Sequence, residues 1–199
     1  MKLTKIVKLN VGSHQFRINA TNDQQAQVYP FYSQVDLEEE LTGIYDNMAE
    51  NKQIRTHDEV NLLHGGEVIF NLVSGRAAVV STRHDGYIYT QNFVVLNPTS
   101  QLNSQYLVYL LNENHGIQHQ LQVGLQGSMV LKYTVRQLRE LRLPQLPEYR
   151  QQVIIGQIYF KQLRLQALQI RRANNETLLK FAKLAEVSSD EKKHDRIGF

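Results

Sequence analysis

Arginine and amide side chains gather in the turns between three short apolar runs in the middle of this chain. Arginine can donate two hydrogen bonds to guanine, and asparagine or glutamine can pair with adenine, so these residue types are the ones that read bases in the major groove of DNA. Any one of them alone would be an ordinary solvated loop residue, and the prediction therefore depends on the cluster. The candidates for contact with DNA bases are Asn71, Ser74, Arg76, Arg83, His84, Gln91 and Asn92.

A glycine–serine turn further along the chain supplies candidates for phosphate contacts. Ser128 lies in this turn, and Lys132 lies in the mixed apolar and basic segment that follows it. Hydroxyl and ammonium groups are common partners of phosphate oxygens. The surrounding charge agrees, because residues 131–183 contain eleven basic and three acidic side chains, whereas residues 20–60 contain nine acidic and two basic ones. One end of the molecule is therefore expected to attract polyanions.

Catalytic patterns are weak by comparison. The chain has no cysteine, which excludes disulfides, thiolate zinc sites and a cysteine nucleophile, and it has no glycine-rich nucleotide-binding motif. Asp46, Glu50 and Lys52 follow the order of many nuclease sites, but no strand is predicted there to position them. His115 and His119 have the spacing of helical zinc ligands, yet a glycine lies between them and no glutamate follows the first histidine. The sequence therefore predicts no catalytic residue, no metal site and no cofactor held by this chain.

No segment of the sequence indicates a membrane partner. The apolar runs are all far shorter than the ~20 residues of a membrane-spanning helix. Residues 1–6 are basic, but the apolar core and small-residue cleavage site of a secretory signal do not follow them. We expect a cytoplasmic protein.

The elements that must position the polar side chains form a mixed domain. Turns separate three apolar runs rich in β-branched residues, which indicates a hairpin stack at residues 68–73, 77–81 and 87–96. Residues 103–114 change to a helical period, and the acidic residues 36–41 indicate another short helix. The sequence thus predicts an α+β fold, with a mixed α/β domain over residues 1–146 built around a small twisted sheet.

A single long helix is predicted after this domain, over residues 147–187. The segment contains one glycine after its first proline, and forty helical residues span about 60 Å, well beyond the width of a small domain. Residues 171–175 interrupt the apolar positions, so a break or kink is expected there. Residues 188–199 are charged and lack apolar side chains before Ile197, which is typical of a disordered tail.

The long helix carries an apolar stripe that a domain of this size cannot cover. A strict heptad fails over the full length. Glutamines share a face of the helix, however, and this suits an antiparallel, coiled-coil-like contact with a second helix. The sequence therefore predicts a dimer, with an interface formed by Ile154, Ile155, Ile158, Gln162, Leu165 and Leu168.

Several segments, taken in order, resemble the specificity (S) subunit of type I restriction-modification systems in a half-length form. Each segment is degenerate alone, and their order and spacing over most of residues 1–170 carry the resemblance. The segments are GEVIF (66–70), SGRAA (74–78), TQNFVVL (90–96), QYLVYLL (105–111), QGS (126–128) and LRLPQLP (141–147), with two glutamines (151–152) at the start of the helix.

The resemblance implies a target recognition domain followed by a conserved helical region. Subunits of this family usually carry two recognition domains held apart by two long antiparallel helices. The helices set the spacing of a split DNA site and dock the methyltransferase (modification) subunits. With one domain and one helical region, this chain would form a homodimer that reads an inverted, interrupted site; pairing with a different half-subunit and an inactive fragment are the other options.

On this resemblance the chain is a non-catalytic specificity subunit from the cytoplasm of a prokaryote. Its expected partners are double-stranded DNA, methyltransferase subunits and, as a further option, a restriction subunit. S-adenosylmethionine, Mg²⁺ and ATP would be held by those partner subunits. The alternative is an interaction protein or anti-restriction decoy that binds the complex through its helix without reading DNA. A stand-alone nuclease would instead need Asp46, Glu50 and Lys52.

Overall fold

The computed structural model describes residues 1–45, 51–123 and 132–194, and it confirms the α+β class. Its strands are β1 (Val7–Val11), β2 (Gln27–Pro30), β3 (Gln53–Thr56), β4 (Val68–Asn71), β5 (Ala77–Val79) and β6 (Phe93–Pro98). Its α-helices are α1 (Gln34–Thr42), α2 (Ser104–Glu113), α3 (His115–Val123), α4 (Val135–Glu140) and α5 (Tyr149–His194). Short 3-10 helices cover Leu3–Lys5, Gln15–Arg17 and Thr82–His84.

A four-stranded antiparallel sheet in the order β1-β6-β4-β5 forms the centre of the domain. Strand β6 pairs with β1 on one side and with β4 on the other, so that Val95 lies opposite both Asn10 and Ile69. All of β4 and the first four residues of β6 are buried, because both faces of these strands are covered. The predicted small sheet is thus confirmed, although residues 87–90 form only isolated bridges.

The acidic segment predicted as a helix is α1, and its ends have local causes. The Ser33 hydroxyl accepts a hydrogen bond from the Asp36 backbone N–H at 3.3 Å, while the Asp36 carboxylate accepts one from the Ser33 backbone N–H at 2.6 Å. This reciprocal pair is a capping box. Gly43 ends the helix with φ 63°, in the left-handed region. Asp36, Glu39 and Glu40 of α1 are buried, which their residue types do not predict.

Contacts between α2 and the first turns of α5 attach the long helix to the domain. Gly156 of α5 lies directly on α2, where a Cβ atom would stand 2.7 Å from Gln105 Cβ and 2.9 Å from the Tyr106 nitrogen. One turn earlier, the buried Gln152 side chain accepts a hydrogen bond from the Asn103 N–H at 3.0 Å and donates to two backbone carbonyls. These contacts fix the first turns of α5 on the domain.

Helix α5 is more regular than its sequence indicates. It runs without interruption for 46 residues, which is about 69 Å, so the expected break at residues 171–175 is wrong. An ion pair between Arg172 and Glu176 at 2.8 Å, one turn apart, supports the helix across that stretch. Residues 188–194, which the sequence places in a tail, continue the helix, and residues 195–199 lie outside the described part of the chain. None of the described helices is long and apolar enough to cross a membrane.

The two ends of the domain lie side by side. The Met1 ammonium group donates to the Leu143 carbonyl at 3.0 Å, and the Leu143 N–H donates to the Met1 carbonyl at 2.7 Å. The Leu3 N–H donates to the Leu141 carbonyl at 2.8 Å, and both of these leucines are buried. The chain therefore enters and leaves the domain at one place, shortly before α5 begins.

Candidate functional site

Two of the residues predicted to contact bases, Asn71 and Ser74, lie at the β4–β5 turn and differ in burial. Asn71 is only 4% exposed. Its carboxamide oxygen accepts hydrogen bonds from the N–H groups of Val73 at 2.7 Å and Ser74 at 3.2 Å, and its amide group donates to Gln34. Asn71 therefore shapes the turn. Ser74, at the tip of the turn, is exposed.

Lys132 is held beside this turn. The Tyr133 ring covers Gly75, whose φ of 70° and missing side chain let the two segments touch. The Tyr133 N–H also donates to the Leu72 carbonyl at 2.8 Å. Lys132 then reaches the residue before β6, where its ammonium group donates to the Asn92 carboxamide oxygen at 2.6 Å.

A cavity of about 550 Å³ opens between these turns. The rings of Phe31, Tyr32 and Phe93 form part of its wall. Gln91 lies next to it and accepts a hydrogen bond from the Gln15 N–H at 3.1 Å. The structure thus brings three predicted residues to one cavity, with Lys132 bonded to its edge. The polar lining consists of Gln15, Ser33, Gln34, Lys52, Asn71, Ser74, Thr90 and Asn92.

Five polar residues of this cavity have no base- or phosphate-contact prediction from the sequence, and two of them, Lys52 and Gln15, show how they come to lie there. The Lys52 ammonium lies 6.0 Å from the centroid of the Phe31 ring. Gln15 reaches the cavity because β1 approaches the start of β6 so closely that a Cβ atom on Gly12 would lie 2.2 Å from the Thr90 carbonyl oxygen. The glycine at position 12 is the only local signal of this approach.

Three predicted residues, Ser128, Asp46 and Glu50, lie outside the described residues. His115 and His119 are exposed on α3. They do not belong to the group of Asp36, Glu39 and His84, which is the one set of histidine and acidic side chains within residues 1–45, 51–123 and 132–194 that is close enough to share a metal ion.

The two predicted arginines contact α1 and the segment after it. Arg76 Nη1 lies 3.2 Å from Glu38 Oε2, and both side chains are about 40% exposed. The Arg83 guanidinium lies 4.7 Å from the centroid of the Tyr45 ring. Because a half-exposed ion pair contributes about 0–1 kcal/mol, Arg76 can exchange Glu38 for another partner at small cost. Arg76 therefore stays a candidate for contact with DNA.

His84 is a correction, because only 2% of its side chain is exposed and it cannot contact DNA. Its Nδ1 lies 2.7 Å from Glu40 Oε1, and its Nε2 lies 3.3 Å from Asp36 Oδ1. Burial alone lowers the pKa of His84, but hydrogen bonds to Asp36 and Glu40 and the charges of these carboxylates outweigh burial and raise the pKa to about 9. Without a bound metal ion, His84 is thus a buried cation that joins α1 to the turn at Thr82–His84.

This pKa predicts a loss of stability in mild alkali. The folded protein holds the His84 proton up to about pH 9, whereas an unfolded histidine releases it near pH 6.5. The contribution of His84 is therefore complete below pH 6.5 and disappears as the pH rises through 9. Urea unfolding in EDTA-containing buffer should show the free energy of unfolding falling over this interval, and a His84→Gln variant should lack this part of the fall. A flat wild-type profile between pH 6.5 and 9 would contradict the assignment.

Most of the predicted dimer interface is exposed on α5. At about 100° per residue, this face lies opposite Gly156, which packs on the domain. Gln162 is exposed on its edge. Ile155 is corrected, because it is half-buried and packs against the core of its own domain. The exposed fractions are 46–61% for Ile154, Ile158, Leu165 and Leu168.

A second apolar face lies further along α5. It continues the side of the helix that carries Gly156 and Leu163. Ile170 still lines a groove beside α1, and the other side chains of this face lie further toward the end of α5. Helix α5 therefore presents apolar residues both opposite its domain and beyond it. The side chains of the second face are 55–65% exposed and are Ile170, Leu178, Phe181 and Leu184.

Comparisons with known proteins identify the fold. No protein-family model matches the chain, and no curated protein does. The HsdS subunit from Thermoanaerobacter tengcongensis is similar with a TM-score of 0.54 and 18% identity, over 87% of this chain and 39% of that one. A chain from a structural study of complex assembly and conformational transition in a type I R-M system is similar with a TM-score of 0.59 and 18% identity, over 92% of this chain and 42% of that one.

The likeness confirms, at the level of fold, the resemblance seen in the sequence. The chain spans about two fifths of the length of the solved structures it matches. One α+β domain and one long helix thus correspond to part of such a subunit, which fits a half-length form.

Proposed function

We propose that this chain is a DNA-specificity subunit of a type I restriction-modification complex and reads one half of a bipartite site. The observation that carries the proposal is the shared arrangement of one α+β domain and one long helix, which extends over 87–92% of the chain. The chain itself has no catalytic role in this proposal. S-adenosylmethionine, ATP and Mg²⁺ belong to partner subunits.

The cavity and its rim are the proposed contact with DNA. Amide and hydroxyl groups of Ser74, Gln91 and Asn92 supply both donors and acceptors for base edges. Lys132 and Lys52 place positive charge on the rim and within the wall of the cavity. These two lysines are suited to the sugar–phosphate backbone, which fixes the register of a protein on DNA.

The exposed faces of α5 support a second part of the proposal, a homodimer. Two copies of α5 packed antiparallel would cover the face around Ile158 and Leu165, both of which are about half-exposed or more in one chain. The two domains would then lie near opposite ends of the helix pair. Such a dimer reads an inverted repeat whose halves are separated by a fixed spacer, and its helices provide the surface that recruits methyltransferase subunits.

The direct test is methylome sequencing of cells that express this chain together with its methyltransferase subunit. A symmetric, interrupted methylation motif is expected, and it should disappear when this chain is omitted. A decoy protein that uses α5 alone would leave the methylome unchanged, and the purified chain would show no sequence-selective, salt-dependent retention on DNA.

Replacing Lys52 and Lys132 with glutamine tests the phosphate contacts. Each lost phosphate contact lowers the slope of log affinity against log salt concentration by about 1. The double variant should therefore bind all DNA sequences more weakly, with a slope smaller by about 2. Fluorescence anisotropy over a salt series measures both effects. Lys8→Gln, which removes an exposed lysine of β1, is the matched control, and an unchanged slope in the double variant would remove these lysines from the interface.

A further inference from the structure

A buried group of four ionisable side chains lies between α1 and the Thr82–His84 turn. Asp36, Glu40 and His84 are at most 6% exposed, and the Glu39 side chain is 10% exposed. Three carboxylates and one imidazole therefore meet away from water. Buried ionic groups are costly unless they are matched by partners or by a bound metal ion.

The imidazole presents its Nε2 atom to two carboxylates at once. Nε2 lies 3.3 Å from Asp36 Oδ1 and 3.9 Å from Glu39 Oε2, and the three ligand atoms all lie within 4.8 Å of one another. Bonds of 2.0–2.1 Å in a tetrahedral site place neighbouring ligand atoms roughly 3.3–3.4 Å apart. Small side-chain rotations would thus be enough for these three atoms to share one ion.

The other imidazole nitrogen has the partner that metal-binding histidines usually have. Nδ1 lies 2.7 Å from Glu40 Oε1, which also accepts a hydrogen bond from the Ser81 N–H at 2.7 Å. A carboxylate in this position holds the Nδ1–H tautomer and directs Nε2 toward the ion. Asp36 is oriented in the same way, because its Oδ2 accepts hydrogen bonds from the Ser33 N–H at 2.6 Å and from Asn51 Nδ2 at 2.8 Å, which leaves Oδ1 facing His84.

Tyr32 is an independent observation at the same place. Its side chain is 97% buried, and its hydroxyl is one of the buried polar atoms that find no hydrogen-bond partner in the described chain. The Tyr32 ring stands edge-on to the His84 imidazole, with 5.6 Å between the ring centroids. Burial and then the charges of Glu40 and Asp36 raise the pKa of Tyr32 well above its usual value of 10. A buried hydroxyl without a partner is explained when an ion or its bound water supplies one.

We propose that Asp36, Glu39 and His84 bind a divalent transition-metal ion of the Zn²⁺ class, with Glu40 orienting the imidazole. One nitrogen and two carboxylate oxygens favour such an ion over Mg²⁺, which prefers oxygen ligands and retains its water. The ion would tie α1 to the turn that follows β5 and is structural, not catalytic. The proposal is independent of the DNA-reading function.

An entry route exists on the Glu39 side. Glu39 also lines a groove of about 590 Å³ between α1 and α5, together with Thr42, Tyr45 and Asn174. The Glu39 side chain, which is 10% exposed, therefore connects the site to solvent through this groove. The same groove places the site next to the long helix.

The test begins with the full chain stripped by EDTA, freed of the chelator and dialysed against Zn²⁺, with Mg²⁺ in parallel. Wild-type protein should retain one Zn²⁺ per chain by elemental analysis and melt at a higher temperature with Zn²⁺, while Mg²⁺ has little effect. Glu40→Gln, which removes the orienting carboxylate, should weaken Zn²⁺ binding by about 10–100-fold. Glu39→Gln, which removes a ligand, should weaken it by more.

Two controls distinguish Zn²⁺ binding at the buried site from Zn²⁺ binding by surface residues. Glu38→Gln changes an exposed neighbour in the same helix and should bind Zn²⁺ as the wild type does. A His57→Gln/His64→Gln variant removes exposed histidines that lie near carboxylates and should also leave binding unchanged. The proposal is overturned if wild-type protein retains no Zn²⁺, if Glu39→Gln binds as tightly as wild type, or if the surface histidine variant loses the ion. Circular dichroism of Glu39→Gln and Glu40→Gln before dialysis shows whether each variant is folded, so that a loss of Zn²⁺ binding is not confused with a folding defect.

Discussion

A chain in which Ile158 and Leu165 are both replaced by glutamate is expected to lose the proposed dimer and to sediment as a monomer. Both side chains lie on the face of α5 opposite its own domain and are 61% and 49% exposed. In a symmetric dimer both positions occur in each of the two helices. The interface would therefore bury four carboxylates, none of which has a partner of opposite charge. Burying an uncompensated charge costs about 3–5 kcal/mol, and the dimer should therefore weaken by at least about 100-fold. Sedimentation velocity measures the outcome.

Two controls accompany this variant: a glutamate at another exposed apolar position, and apolar substitutions at the same two positions. Val123→Glu adds a carboxylate at an apolar position of α3 that is 49% exposed and should leave the dimer intact. Ile158→Leu with Leu165→Met changes shape without changing polarity and should do the same. Because both positions are exposed in the single chain, the glutamate variant should keep the circular dichroism spectrum of the wild type. A dimer that survives both glutamates would place the interface elsewhere and remove the basis for a spaced, inverted site.

Replacing Gly156 with alanine is expected to destabilise the protein, although alanine has a higher helix propensity than glycine. Alanine in place of a helical glycine usually stabilises by about 1 kcal/mol. At this position, however, the new methyl group would stand 2.7 Å from Gln105 Cβ and 2.9 Å from the Tyr106 nitrogen. Overpacking of this kind costs about 1–3 kcal/mol, and backbone atoms of α2 cannot yield as a side chain can. Urea unfolding should show a net loss of up to about 2 kcal/mol, and a larger loss for leucine.

The matched control is Gly116→Ala in α3. A methyl group there meets only the Asn114 side-chain oxygen, at 3.3 Å, and the residue is exposed. The same substitution should therefore stabilise by a few tenths to 1 kcal/mol, the opposite sign from Gly156. Equal and favourable effects at both sites would mean that α5 does not lie as closely on α2 as the structure shows.

Local patterns predict the elements of this fold better than their pairing. The β-branched runs become β4, β5 and β6, and the acidic segment with Ser33 before it becomes α1, because strand propensity and helix capping are properties of neighbouring residues. The pairing of Val7–Val11 with residues 94–98 is not visible in the same way. This pairing joins parts of the chain more than eighty residues apart, and it is specified by the packing of the whole sheet and not by neighbouring residues.

The same distinction applies to the candidate site. Asn71, Ser74 and Asn92 are close to one another because they end or precede adjacent strands, which the turn positions predict. Gln15 joins them only through the long-range pairing of β1. His84 shows the remaining difficulty, since a histidine beside an arginine in a polar turn has the sequence of a solvated loop. Its burial depends on the three inward-facing carboxylates of α1, and the identity of those residues gives no sign that they face inward.

The adjacent ends of the domain limit how it could be exchanged between related chains. Because Met1 and Leu143 hydrogen-bond to each other, any replacement for the segment between them has both of its ends at one place. Helix α5 also packs on Gln105 and Tyr106 of that segment, so the replacement must keep this surface of α2 for α5 to follow the same path. In the proposed function, such an exchange would change the bases that are recognised and keep the distance that α5 sets.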